Sequence, residues 1–298
     1  LPKSIKNPVE VENERIAHIK DGVALTKFIC WLKKNVGKIP ITELSAGEKL
    51  YSFRAQQENF IDNSFDPIIS YGIHAAINHY SATPETDIAI EPGNFLLADT
   101  GGHYYEGTTD TTRTIVMGSV NDEQKKYFTA VLRGMLNLGN AKFRYGCTGV
   151  NLDYLARGPL WEMGQDFNHG TGHGVGYLLN VHEGPNSFRW RIIQGDNAVL
   201  EEGMITSDEP GYYVENQYGI RHENLLVCKK AEKTTFGQFM CFEHLTMVPF
   251  DLDAVVPELM TVQERALLNN YHAQVYKKIS PYLEEEEKEW LKEATREI

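Results

Sequence analysis

The sequence predicts an α+β fold in which one unit, helix–helix–strands, is used twice and followed by a helical appendage. Two observations carry this. Apolar residues recur at helical spacing in two pairs of segments, and each pair is followed by short apolar runs of strand character. After Pro249 the composition changes and two further helical patterns begin. Identity between the two halves is negligible, so the duplication rests on the order of elements alone.

The first unit opens with a helix over residues 12–36, where Ile16, Ile19, Val23 and Ile29 keep helical spacing and Gly37 stands just past the end. A second helix is predicted over 42–58, with Leu44, Leu50 and Phe53 as its apolar contribution. Strands follow at 65–70, 94–99 and 108–117. In the second unit, Asn121 and Gln124 make a capping-box signal, and the helix behind them carries Phe128, Val131, Leu132, Met135 and Leu138 at periods of three and four. Another helix covers 151–163, with strands at 204–206, Gly211–Val214 and 218–228. Residues 1–250 then form the main domain. Residues 251–298 form an extension packed on it, with helices Val262–Ile279 and 283–298 joined at Ser280-Pro281.

The formal charge of −12 argues against nucleic acid or anionic lipid as the main partner, since both need a basic surface. Part of that acidity is the run Glu284 to Glu287, read as a solvated helix face. Cys30, Cys147, Cys228 and Cys241 lie far apart with no CxxC pair, which suits reduced thiols in a cytoplasmic protein. No stretch approaches the roughly 18 apolar residues of a membrane span, and no signal peptide is visible. The chain opens Leu1-Pro2-Lys3 without methionine, which leads us to expect the C-terminal part of a longer protein whose N-terminal domains lie upstream.

Three clusters carry chemistry. The apolar run Phe95 to Ala98 ends in Asp99, and Asp110 follows after Gly101, Gly102 and Gly107, which suit a reversal between paired strands. On a strand Asp110, Thr112 and Thr114 would share a face. The competing reading is that Asp99 caps a turn and Asp110 faces solvent. The second cluster runs from Asn168 to Gly176 and holds His169 and His173, with His182 beyond. Its glycines fit neither a P-loop nor GxGxxG, so they are read as allowing the backbone close to a bound group. The third cluster has Glu209 in Asp208-Glu209-Pro210-Gly211 and Glu223 at the head of the apolar run Leu225 to Val227, with a hairpin turn near Asn216 and Gln217. A glutamate there is costly unless a cation neutralises it. That cation is either Arg221 or a metal.

Carboxylates with histidine suit manganese, cobalt or zinc in a catalytic role rather than a structural zinc. Four carboxylates and one histidine are too many for one ion and about right for two that share bridging carboxylates. Neither His182-Glu183 nor His222-Glu223 completes HExxH, because Asn186 and Leu226 stand where the second histidine should be.

The ordered series Asp99, Asp110, His173, Glu209 and Glu223 resembles the five-ligand signature of the pita-bread metallopeptidases, which include methionine aminopeptidase, prolidase and aminopeptidase P. The segments LADTGGHYYEGTTDTTRT, NHGTGHGVGYLLNVHEGP, DEPGYY and GIRHEN, with FEHLTMVPF, LLNNYHAQVY and WLKEAT in the tail, are similar to the cytosolic type of aminopeptidase P across essentially the whole chain. The resemblance implies the pita-bread fold: pseudo-duplicated units around a curved, mostly antiparallel sheet, helices on its outer face and two divalent ions in the concavity. Manganese comes first among those ions, with zinc or cobalt as alternatives. Asp99 would hold one ion, Asp110 and Glu223 would bridge, and His173 and Glu209 would complete the second. Glu209 would also accept a proton from the attacking water. His79 matches the histidine that steadies the transition state, and His182 a substrate-binding one. Phe65, His169 and Arg221 fall where the proline pocket is shaped. The segment Tyr71 to Ala76 departs from the family, which usually has a glycine- and asparagine-rich turn there.

The implied activity is hydrolysis of the bond between an N-terminal residue and proline, on peptides with proline second. Prolidase, the same chemistry on dipeptides, is the alternative, and the C-terminal appendage speaks against it. A non-catalytic pita-bread binding module is the rival from another class, and such modules lose their ligands. The appended helices offer Leu267, Leu268, Val275, Trp290 and Leu291, and this end of the chain supports homodimers in the family.

Overall fold

Helix α1 (Pro8–Asn35) starts ahead of the predicted residue 12 because Asn7 caps it. Asn7 Oδ1 accepts from the amides of Val9 and Glu10 at 2.9 and 3.0 Å, Glu10 Oε2 returns a bond from the Asn7 amide at 2.8 Å, and Pro8 fills the first turn. Helix α2 (Glu43–Arg54), capped by Thr42, stops short of residue 58, and Asn59 then takes a left-handed conformation with φ 63°. The computed structural model describes residues 1–195 and 197–298.

Strands β1 (Phe60–Asn63), β4 (Gly102–Tyr104) and β5 (Gly107–Thr108) form a small sheet, and β2 (Ile68–Tyr71), β3 (Asn94–Thr100) and β6 (Thr111–Met117) form the sheet of the first half. The predicted strand 108–117 is thus broken at Thr109-Asp110. Helices α3 (Asp122–Gly139) and α4 (Tyr154–Trp161) open the second half, whose main sheet runs β10 (Ile205–Asp208), β13 (Asn224–Thr234), β14 (Gly237–His244) and β7 (Lys142–Arg144). Two ribbons complete it: β8 (Gly172–His173) with β9 (Ser187–Phe188), and β11 (Gly211–Val214) with β12 (Tyr218–Arg221), which turn at Asn216 with φ 58°. The predicted strand 218–228 is broken at His222-Glu223. The β14 strand was not predicted. Among the described residues every ladder is antiparallel.

The duplication shows in the packing. Leu25, Phe28 and Leu32 of α1, with Ala46 and Leu50 of α2, bury against Ile69, Leu96, Ala98, Ile115 and Met117 of the first sheet. Leu138 of α3 and Ala156 of α4 do the same against Leu226, Cys228 and Met240 of the second. Strand alternation then fixes the opposite faces. On β3 and β6 the register Phe95↔Val116, Leu97↔Thr114, Asp99↔Thr112 turns Asp99 and Thr112 away from α1 and α2.

Arg113 joins the halves. Fully buried, its guanidinium donates to the carbonyls of Thr112, Glu223, Val248 and Pro249, to Asn224 Oδ1 and to Tyr271 Oη, at 2.6–3.2 Å, and lies 3.9 Å from the Phe250 ring. Tyr271 belongs to α5 (Val262–Ile279), and α6 (Glu285–Ala294) follows it. Leu268, Val275 and Leu291 are buried in the core shared with α3, and Leu267 and Trp290 pack partly buried against it. The apolar residues expected to serve a dimer are therefore used inside the chain. Because each donor of Arg113 meets a buried acceptor, Arg113→Ala strands several acceptors at once and should cost about 3 kcal/mol or more. Urea unfolding would measure it; a loss below about 1 kcal/mol would show that the two halves hold together without it.

Candidate metal centre

One cleft gathers every site residue singled out in the sequence. Phe65, His79, Asp99, Asp110, His169, His173, His182, Glu209, Arg221 and Glu223 all line it, together with Ile68, Asn78 and Arg189. Asp99 comes from the end of β3, Asp110 from the break before β6, His173 from β8, Glu209 from just past β10 and Glu223 from the break between β12 and β13. Breaks between strands place Asp110 and Glu223 outside the ladders, beside Asp99 and His173, which project from strands into the same cleft. Asp110 and Glu223 are 4% and 1% exposed, so the reading that turned Asp110 to solvent fails.

Asp110, His173 and Glu223 each offer a donor atom, and those atoms lie within 4.8 Å of one another. His173 Nε2 is also 3.3 Å from Glu209 Oε1 and 3.5 Å from Asp110 Oδ2. Its Nδ1 meets the Gly174 carbonyl at 3.0 Å, which fixes the ring so that Nε2 faces the carboxylates. The His173 amide donates to Ser207 Oγ at 2.9 Å, and that hydroxyl donates to Glu209 Oε1 at 3.0 Å. Glu223 Oε2 accepts from Thr112 Oγ1 at 2.6 Å.

The electrostatics are those of an anionic site short of positive charge. Burial, with Asp99 and Glu209 adding to it against His173, pushes Asp110 up to about 7. Burial and the neighbouring carboxylates hold Glu223 well above the usual range, and burial raises Glu209. Burial opposes a charge on His173, yet Asp110 and Glu209 outweigh it and raise the ring to about 9. A site whose acids resist ionising and whose histidine holds its proton suits a divalent cation, which would favour the deprotonated form of each.

Arg221 is not the counterion of Glu223. Its Nη2 donates to Asp99 Oδ2 at 2.6 Å and its Nη1 to Tyr213 Oη at 2.7 Å. Of the two cations that could neutralise Glu223, the arginine is thus engaged elsewhere. Tyr213 Oη lies 2.9 Å from His169 Nε2, and His169 Nδ1 lies 2.7 Å from the Gly170 carbonyl. The order of donors is then settled: Arg221 to Tyr213, Tyr213 to His169 Nε2, His169 Nδ1 to Gly170. Tyr213 was missed in the sequence. The signal was there, since alternation along β11 puts it on the face of Gly211, the partner of Arg221.

The glycines around His173 have another use than the one expected. A Cβ at Gly172 would sit 1.8 Å from the Ser207 carbonyl, and one at Gly174 2.1 Å from the Glu183 carbonyl. At these two positions backbone approaches backbone, while Gly170 and Gly172 also line the cleft. His79 and His182 sit exposed at the rim, with the His182 ring edge-on to His173 at 4.2 Å.

His169 is pushed down to about 3, by burial first and then by Arg221. A depressed histidine contributes stability that is present above its unfolded value of 6.5 and lost as pH falls towards 3. In a histidine NMR titration the His169 ring should stay neutral where a free histidine titrates, and His169→Gln should flatten the acid limb of stability. An apparent value near 6.5 would rule out the chain of donors just described.

The family model for metallopeptidase family M24 matches residues 12–230, and the model for the C-terminal region of peptidase_M24 matches 238–298. The chain is 43% identical over 303 residues to a probable Xaa-Pro aminopeptidase P of Paracoccidioides brasiliensis, covering 99% of this chain and 49% of that one. Its structure is similar to an X-prolyl aminopeptidase from Caenorhabditis elegans, described as a cytosolic enzyme with a di-nuclear active site, with TM-score 0.94, 37% identity, and coverage of 100% of this chain and 49% of that one. It is also similar to a prolidase from Pyrococcus furiosus, with TM-score 0.65, 29% identity, and coverage of 82% and 66%. The chain spans about half the length of the curated relatives it matches.

Proposed function

The chain belongs to metallopeptidase family M24 and has its pita-bread fold, and we propose that it is the catalytic part of an aminopeptidase that hydrolyses the bond between an N-terminal residue and proline. The observation that carries this is the convergence of Asp99, Asp110, His173, Glu209 and Glu223 on one cleft walled by His169 and Arg221. The likeness to the X-prolyl aminopeptidase extends over the whole chain, whereas that to the prolidase leaves part of it uncovered, which supports the first reading over the second. A binding module without catalysis would have no reason to keep four carboxylates at the cost of burying them.

In this reading Asp99 would hold one ion, His173 and Glu209 would hold the other, and Asp110 and Glu223 would serve both. Manganese is the first choice and zinc or cobalt the alternatives. When bound, the ions polarise the scissile carbonyl and lower the pKa of a water. The Glu209 carboxylate takes up the water's proton and delivers it to the departing proline nitrogen. His79 donates to the oxygen on which charge develops. His182 contacts the substrate from the rim. Phe65, His169 and Arg221 shape the pocket for the ring, which offers no N–H to bind and is recognised by shape. The neutral state of His169 favours that apolar contact. The protein acts in the cytoplasm in this reading, in keeping with the description of its structural relative as cytosolic. Its substrates are peptides with proline second, and a homodimer would have to form through surface other than the buried Leu268, Val275 and Leu291.

A tripeptide with proline second should be cleaved faster than the corresponding dipeptide, and its alanine counterpart hardly at all, in an assay with and without added manganese. Preference for the dipeptide would turn the answer to prolidase. Separately, His79→Ala should keep its metal content and lose roughly a hundredfold in turnover, while Asp110→Asn should lose metal as well as activity. Full turnover in His79→Ala would refute the role given to that ring.

A further inference from the structure

The segment that brings His79 to the cleft is held from behind by one carboxylate. Glu43, in the first turn of α2, is completely buried, and it does not line the cleft. Its Oε1 accepts from the Tyr71 amide at 2.7 Å, its two oxygens share His74 Nδ1 at 3.0 Å each, and its Oε2 accepts from Tyr80 Oη at 2.9 Å. The His74 and Tyr80 rings stack with centroids 4.2 Å apart. These donors are the start, the middle and the end of one short stretch, and His79 is the residue before the last of them. Among the described residues no hydrogen bond or ion pair holds the His79 ring itself, so its place depends on the backbone that carries it. That backbone is a 3-10 turn, Gly72–Ala76, closed by Ile77 N on the His74 carbonyl at 3.0 Å and continued by Tyr80 N on the Ile77 carbonyl at 3.1 Å. On its other side the turn packs against β12, the strand that carries Arg221. A buried carboxylate is kept at a cost in desolvation that its donors must offset. Here each of these donors comes from the one segment with a reason to be held still.

We infer that Glu43 is the positioning residue for His79, acting through His74 and Tyr80 on the turn from which His79 reaches the cleft. This rests on the catalytic reading of His79 given above. His74 lies in the segment Tyr71 to Ala76, where the sequence departs from the family's glycine- and asparagine-rich turn. A single carboxylate serves because its two oxygens can accept from donors approaching in different directions. A glutamine keeps the shape but turns one oxygen into an NH2 group facing donors.

The test is Glu43→Gln in the wild-type and in the His79→Ala background, with the proline tripeptide as substrate. In the wild-type background turnover should fall ten- to a hundredfold with KM and metal content little changed. In the His79→Ala background the same substitution should change turnover by less than about twofold, because residues acting through one group are not additive. Amide hydrogen exchange, read without substrate, should quicken at residues 71–80 and nowhere else. If Glu43→Gln does not fold, Tyr80→Phe, which removes one donor and keeps the ring, is judged by the same criteria with a smaller effect. Equal losses in both backgrounds, unchanged exchange at 71–80, or faster exchange throughout the protein would each overturn the inference. Should His79→Ala leave turnover intact, the catalytic reading fails, and the exchange pattern alone decides whether Glu43 holds the segment.

Discussion

Negative charge gathered where water is scarce is the constraint on which this molecule turns. Asp110 and Glu223 are almost inaccessible, and Asp99 and Glu209 stand beside them. A lone buried carboxylate would be expensive, and several facing one another are more so. The protein relieves this only in part with its own cations. Arg221 takes Asp99 but leaves Glu223 to a threonine hydroxyl, and His173 is a single base among several acids. The fold therefore has to supply enough stability elsewhere to hold the cluster together, and the metals proposed for it would turn the burden into binding energy.

Much of that holding falls on Arg113. It sits between the two halves, donating to the carbonyls of Thr112 and Glu223. Those are residues whose side chains bond each other, so the backbone behind Glu223 is fixed by the same guanidinium that ties in Val248, Pro249 and Tyr271. Packing of the C-terminal helices and geometry of the cleft are thereby one matter. Among the described residues Arg113 is paired with no carboxylate; it is satisfied by neutral acceptors, and burial lowers its pKa.

The second helix of each half repeats a device. On α2, Glu43 gathers the segment that ends in His79 and Tyr80. On α4, Arg157 donates to Phe167 and His169 carbonyls and to Asp166 while stacking on Phe167, and Asp153 at the helix start pairs with Arg157 and accepts from Thr171. In both halves a buried charge on a helix is satisfied by a loop that leads into the cleft. Loops are usually the mobile part of a fold; here they are fastened to buried side chains of helices.

The helices could be read from the sequence because periodicity and capping are local: Asn121 and Gln124 bond each other as their spacing implies. The start of α1 was missed, although Asn7, Pro8 and Glu10 carried the signal. The donor types were legible too, since an aspartate ending an apolar strand and a glutamate heading one are conspicuous in one dimension. Which charge meets which was not. Glu223 stood two residues from Arg221, positions that share a face on an unbroken strand, but the strand breaks at His222-Glu223 and the two side chains take different partners. The glutamate finds Thr112 and the arginine finds Asp99, each on the other half of the chain. Tyr213 joins the site for the same reason, through a hairpin register that only the folded ribbon fixes. Composition and spacing thus determined what kinds of groups the site contains. The pairing of distant strands decided their partners, because a hydrogen bond depends on where side chains end up and not on how far apart they lie along the chain.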